Sequence, residues 1–205
     1  PYAIGFPFVF YGTTNTQFWV GMNGGIMFQP GPLPYLNEPL PTASVTGSLI
    51  AAFWDDLDPS SDDVSPAIKR LSDSNQLVVS YLHVPRFGSP LSNIFQIVLR
   101  KTGEVLMQYR TVTGTRNSCT VGIQGSAPGD KAVEVVYNHA YVQSNLAVRF
   151  DRTPDSPWLS VSPQNGTIAA HGSAMAVLTA TTAGLTDEVY TASFTAFQSS
   201  PYPPE

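Results

Sequence analysis

A six-residue apolar run, Leu49-Ile-Ala-Ala-Phe-Trp54, gives way at once to Asp55-Asp56-Leu57-Asp58. A run this short, bounded by turn-forming residues, has the length of a strand covered on both faces. The carboxylates then sit where that strand leaves the core. Clustered Asp at such an exit suits either a hard cation or a well-hydrated loop.

Strands are expected on both sides of this run. Ile4, Phe6, Phe8 and Phe10 alternate with Gly5, Pro7, Val9 and Tyr11, a period of two with one strongly apolar face. Pro7 has no N–H to give a ladder, so this strand belongs at an edge or is paired on one side. Gly12 to Asn15 reads as a turn and Gln17 to Met22 as the next strand. Asn23-Gly24-Gly25 predicts a tight type I′ hairpin, because that turn needs positive φ twice. Residues 30–47 carry Pro30, Pro32, Pro34, Pro39 and Pro41. They read as an extended crossover that Leu33, Tyr35 and Leu36 pin down.

Beyond the acidic loop, 67–71 and 76–84 predict a strand pair, as do 93–101 and 104–110. Residues 118–124, 132–138 and 146–151 complete an all-β set. No stretch has the 3.6-residue periodicity of an amphipathic helix. Many short strands with Gly and Pro turns predict a sandwich or barrel. Composition shifts at Asp151-Arg-Thr-Pro-Asp-Ser-Pro157. The expected domains are therefore 1–152, a jelly-roll or lectin-like β-sandwich, and 153–205, a small β unit with a Pro-rich tail. In the second, strands are expected over 158–161, 167–170, 174–182 and 189–197.

Charged residues make up only 12% of the 205 residues and hydrophobic ones 42%, the opposite of a disordered chain. The net charge of −5 argues against nucleic acid, since phosphate neutralisation needs clustered cations. Lys69-Arg70 and Arg100-Lys101 read as strand-edge or strand-end charges. No apolar run approaches the ~18 residues of a membrane span. The single cysteine, Cys119, excludes an internal disulfide and a Cys-rich metal site, and is expected as a buried structural thiol. The chain starts Pro-Tyr-Ala-Ile within an expected strand, with no initiator Met and no signal peptide, and reads as processed or trimmed there.

Asp55, Asp56, Asp58, Asp62 and Asp63 form the one group rich enough in oxygen to suggest calcium. Their spacing is not that of an EF-hand loop, and a solvated acidic loop is the competing reading. Calcium is thus the only cofactor the residues suggest. Trp19, Tyr35 and Trp54 raise the idea of an aromatic platform for a sugar. Trp54 belongs to the apolar run and is expected in the core, which leaves Trp19 and Tyr35 as ligand-binding candidates. Asn23 and Gly24 are expected to act as a structural turn. His83, His139 and His171 lie in unrelated contexts, no Gly-x-Ser-x-Gly elbow exists, and no catalytic residue is nominated. Asn165-Gly-Thr167 matches a glycosylation sequon but reads first as a turn.

Three motifs in order, Phe6-Pro-Phe-Val-Phe-Tyr-Gly12, Val20-Gly-Met-Asn-Gly-Gly-Ile-Met-Phe28 and Ile50-Ala-Ala-Phe-Trp-Asp-Asp-Leu57, resemble the nidogen-like extracellular β-domains of bacterial secreted proteins. Val121-Gly-Ile-Gln-Gly125 and the stretch 135–150 resemble the closing strands of the same module. The likeness covers residues 1 to about 151. Pro157-Trp-Leu-Ser-Val-Ser-Pro163 and Asn165-Gly-Thr167 resemble the later half of the immunoglobulin-like modules of bacterial surface proteins, including the carbohydrate-associated type. The resemblance implies an extracellular, non-catalytic protein and names no ligand.

Both modules look shortened against these relatives. An incomplete sandwich leaves unpaired strand edges that another strand can fill. The leading expectation is therefore a structural subunit of a cell-surface filament or assembly, self-associating through inter-subunit strand contacts. The alternative is an adhesion module binding carbohydrate or another surface ligand. Neither involves nucleic acid or a membrane span.

Overall fold

The computed structural model describes residues 1–61, 67–114, 116–126, 132–151, 159–163 and 172–181. The chain divides into two compact units, 1–151 and 152–205.

The first unit is a β-sandwich. One sheet holds β1 (Tyr2–Phe10), β2 (Thr13–Gly21), β3 (Gly25–Met27), β4 (Leu49–Trp54), β9 (Thr120–Gln124) and β10 (Ala132–Tyr137), side by side in that order. The other holds β11 (Leu146–Phe150), β8 (Val105–Thr111), β7 (Ser92–Arg100), β6 (Gln76–Pro85) and β5 (Ala67–Ser72). All pairings are antiparallel, so the connectivity is two successive meanders, each extended later by strands from the end of the unit. β1 packs over β5 and β6, and β4 over β7.

Pleat parity fills the space between the sheets. Ile4, Phe6, Phe8 and Phe10 enter from β1, Leu77, Val79 and Tyr81 from β6, and Phe95, Ile97 and Leu99 from β7. Tyr81 and Phe95 stack with ring centroids 4.5 Å apart and an interplanar angle of 9°. As its sequence requires, β1 lies at a sheet edge, and Pro7 falls where its register with β2 breaks, between Ala3 and Phe8. Lys69 and Arg70 lie on the edge strand β5, and Arg100 ends β7.

β4 is buried along its whole length. Its second cover is the Pro-rich crossover, which folds over the outer face of the first sheet. Leu33 and Val45 from the crossover meet Met27, Leu49, Ala51 and Trp54 in a separate small core. Trp54 Nε1 donates to Pro34 O at 2.7 Å. The anchors are thus Leu33 and Val45. Tyr35 and Leu36, expected to pin the crossover, are 60% and 65% exposed.

Two local expectations need correction. β2 begins at Thr13, and the turn before it is only Tyr11-Gly12, with φ 47° and 77°. That pair makes the two-residue hairpin with positive φ at both positions. The Asn23-Gly24 loop instead has three residues between Gly21 and Gly25, which pair with each other, and only Gly24 has positive φ (86°). The physical reason is that Asn23 is committed to the crossover and to the exit of β4, as described below.

In the second unit, β12 (Leu159–Ser162) pairs antiparallel with β13 (Val177–Ala180). The strands expected over 167–170 and 189–197, and the Asn165 sequon, lie outside the described residues.

Candidate functional site

Because every pairing is antiparallel, the exits of β2, β4, β6, β8 and β10 and the entries of β3, β7, β9 and β11 meet at one end of the sandwich. An open cleft of about 330 Å³ lies among these loops. Its walls come from the crossover (Tyr35, Leu36, Asn37), the exit of β4 (Asp55, Asp56), the exit of β6 (Arg86), the entry to β9 (Asn117, Ser118) and the exit of β10 (Asn138).

The Asn23-Gly24 loop holds two of these walls, the exit of β4 and the crossover, in place. Gly24 O accepts from Ala52 N at 3.0 Å and Phe53 N at 2.9 Å, where the register of β4 with β9 breaks. Asn23 O accepts from Asp55 N at 3.3 Å, and its side-chain Oδ1 accepts from Leu57 N at 3.1 Å. Its Nδ2 donates to Leu33 O at 2.9 Å. One asparagine therefore ties the hairpin, the acidic exit of β4 and the crossover together. Only a residue lacking Cβ fits at 24, because a Cβ there would lie 2.6 Å from the Phe53 carbonyl carbon.

Asp55 is 3% exposed, and its carboxylate is fully engaged. Oδ1 accepts from Asp56 N at 2.9 Å, and Oδ2 accepts from Ser118 Oγ at 2.7 Å. Arg86 Nε stands 2.8 Å from Oδ2, an ion pair by distance whose N–H is not aligned for a hydrogen bond. A third of the Arg86 side chain stays exposed toward the cleft. Asp56 is half-buried, its backbone O accepts from Phe87 N at 2.8 Å, and its carboxylate has no hydrogen bond among the described residues. Asn37 Nδ2 donates to Thr120 Oγ1 at 3.0 Å and to Asn138 Oδ1 at 2.8 Å, fixing both amides at the mouth. Farther along the crossover, the Thr42 and Ser44 hydroxyls hold the Glu38 carboxyl below its usual pKa.

Beneath the site, Cys119 is buried as expected. Burial, and then the Asp55 charge, push its thiol up to about 12. Tyr81 OH lies within donating distance of Gly21 O (2.7 Å) and Gly25 O (2.8 Å). Tyr109 OH donates to Ala52 O. Burial pushes both phenols up.

The structure brings Tyr35, Asp55 and Asp56 together, and with them the turn residues Asn23 and Gly24. Trp19 is half-buried against the small core under the crossover, on the outer face of the first sheet. Asp58 turns to its own loop, where its carboxylate accepts from Ser60 N at 3.0 Å and Ser60 Oγ at 2.6 Å. Asp62 and Asp63 lie outside the described residues. Among the described residues no group of three or more His, Cys, Asp and Glu converges as for a metal ion. His83 and His139 are exposed, and His171 is outside the described residues.

Asn37, Arg86, Asn117, Ser118 and Asn138 were not singled out from sequence. They lie on four separate loops, with only Asn117 and Ser118 adjacent, so no local spacing marks them. Arg86, Asn117, Ser118 and Asn138 share a position just outside strand ends on one side of the sandwich, and Asn37 joins them from the middle of the crossover.

The apolar side chains of this end are equally distinctive. Met22, Tyr35, Leu36, Phe87, Leu91 and Tyr141 are all exposed, and all lie on its loops. Only Tyr2, Leu71 and Val133 are comparably exposed among the described residues of the rest of the unit. The fold and site define an all-β sandwich with a polar cleft and exposed apolar side chains on the loops of one end. The chain belongs to the NIDO-related family, whose model matches residues 1–171. Comparison with curated proteins and with solved structures gave no match. Among the described residues, no helix is long and apolar enough to cross a membrane.

Proposed function

We propose that this protein is a non-catalytic extracellular adhesion module, of the kind bacteria secrete, that holds a surface ligand on the loop end of its first unit. The observation that carries this reading is the gathering of six exposed apolar side chains on the loops of the end that holds the polar cleft, two of them, Tyr35 and Leu36, on its wall. A rigid scaffold with its exposed apolar and polar groups gathered on loops at one end is the arrangement of a binding protein. Membership of the NIDO-related family supports the extracellular setting. The non-catalytic part follows the family membership, and Asp55, held by Ser118, Arg86 and the Asp56 backbone, serves the architecture of the cleft. The second unit is read as an immunoglobulin-like spacer.

The test is attachment of beads coated with the protein to bacterial and host cell surfaces. Leu36→Ser together with Phe87→Ser abolishes attachment on this reading. Lys69→Ser on β5, outside the loop end, leaves it intact. Attachment that survives the loop changes refutes the reading.

A second reading, a filament subunit held by strand contacts between chains, is favoured by the open edge at β11. That strand pairs with β8 through five residues without a bulge and has no strand on its other side among the described residues. A sharp monomer at millimolar concentration would exclude it.

A further inference from the structure

We propose that the cleft takes an uncharged saccharide unit, a pyranose with adjacent hydroxyls. This rests on the loop-end reading above. Three features of the cleft select that class.

The first is charge. Asp55 and Asp56 contribute two negative groups and Arg86 one positive group. Asp55 and Arg86 are paired, so a ligand meets the Asp56 carboxylate beside a compensated pair. An anionic ligand faces that carboxylate on a chain of net charge −5. A cationic ligand is drawn to that carboxylate, but an ammonium only donates and leaves the partly exposed Arg86 N–H groups without an acceptor. A neutral ligand carries neither penalty, and charges a few Å apart interact by several kcal/mol at an effective dielectric of about 20.

The second is the mixture of donors and acceptors. Asp56 offers carboxylate lone pairs, and Arg86 offers N–H groups beyond the one facing Asp55. Asn37, with both amide hydrogens spent on Thr120 and Asn138, presents a carbonyl oxygen. Asn138 retains an amide donor, its own oxygen being the acceptor for Asn37. Hydroxyl groups both donate and accept, so adjacent hydroxyls can satisfy such a set without a change of protonation. A carboxylate accepting from a hydroxyl makes the stronger, charge-assisted kind of bond.

The third is the apolar side of the cleft. Tyr35 is 60% exposed and Leu36 65% exposed, both on the wall. A pyranose has an apolar C–H face that stacks on an aromatic ring, and Tyr adds a polar tip at little entropic cost. The volume, about 330 Å³, is at the small end for ligand sites, which limits the cleft to a terminal unit and not a long chain. Because it is open, single-unit affinity is weak, with Kd of about 0.1–10 mM, and attachment depends on many copies acting together.

The experiment is titration of the full chain by heteronuclear NMR with four probes: methyl mannoside, methyl galactoside, glucuronate and lysine methyl ester. The bead assay runs in parallel with the same probes as competitors. At least one neutral glycoside should shift the amides of residues 35–37, 56 and 138, with glucuronate and the amine at least tenfold weaker. Asp56→Ala and Tyr35→Ala should each weaken that glycoside about tenfold or more, while Lys69→Ser leaves it unchanged. Tighter binding of glucuronate or of the amine at these residues overturns the neutral-sugar assignment and leaves the loop-end reading standing. So does silence toward all four probes when bead attachment still depends on Leu36 and Phe87. Attachment indifferent to those two residues sinks the loop-end reading itself.

Discussion

Gly24→Ala joins the sequence motif to the site most directly. The residue sits at φ 86°, and a Cβ there would lie 2.6 Å from the Phe53 carbonyl carbon and 3.1 Å from Leu57 Cδ1. Carbon atoms pack at about 3.5–4.0 Å, so the loop must retreat by about 1 Å. That retreat breaks the hydrogen bonds from Ala52 N and Phe53 N to Gly24 O. Left-handed backbone costs an alanine about 1–2 kcal/mol, and each lost hydrogen bond about 1 kcal/mol. The sum is about 3–4 kcal/mol. Gly12→Ala is the matched control: φ is 77°, but nothing lies within 4 Å of its Cβ position. It incurs the backbone cost alone, about 1–2 kcal/mol. Urea unfolding followed by tryptophan fluorescence reads both variants. Equal destabilisation by the two would refute the argument that the loop is a clamp on β4 and not merely a turn.

Further predictions follow from the buried polar groups. Tyr81→Phe leaves the Gly21 and Gly25 carbonyls without their shared hydroxyl, and should lower stability by about 1–3 kcal/mol in the same urea assay. Asp55→Asn removes the partner of Arg86, and because Arg86 is a third exposed the loss should fall near 1–3 kcal/mol, below that of a fully buried pair. The Cys119 thiol should not react with a disulfide reagent at pH 8 until the protein unfolds, so labelling that keeps pace with a model thiol in native buffer would contradict its burial. The same thiol predicts a pH dependence. Its pKa is raised from about 8.5 in the unfolded chain to about 12, so its contribution is whole below pH ~8.5 and is lost as pH rises toward 12. Cys119→Ala should flatten that part of the stability–pH curve, and an unchanged slope would show that the thiol is not its source.

Much of the fold was legible because period-two patterning needs no tertiary information. The Phe6-Phe8-Phe10 face, the wholly apolar β4 and the hairpin between β7 and β8 are each set by neighbours along the chain. What was not legible depends on contacts far apart in sequence. Asn23-Gly24 reads as a two-residue turn by local rules, yet Asn23 reaches Leu33 and Leu57, and that commitment fixes a longer loop. Tyr35 and Leu36 read as anchors because they are apolar, but Leu33 and Val45 fill the space under the crossover and leave them outside. Asp55 read as a cation ligand for want of a visible partner. Its partners, Arg86 and Ser118, lie 31 and 63 positions away, and no local pattern announces them. The cleft itself is a meeting of loops, and a loop's residues declare their neighbours only once strand order is known.

The central claim, that the loops of one end are the binding surface, is tested most directly by mapping amide shifts on the labelled full chain as whole cell-wall or extracellular-matrix fragments are added. The account predicts shifts and broadening at residues 35–37, 55–57, 86–88, 117–118 and 138–141. Perturbation confined to the edge strands β10 and β11, with those loops unchanged, would contradict it and turn attention to contacts between chains.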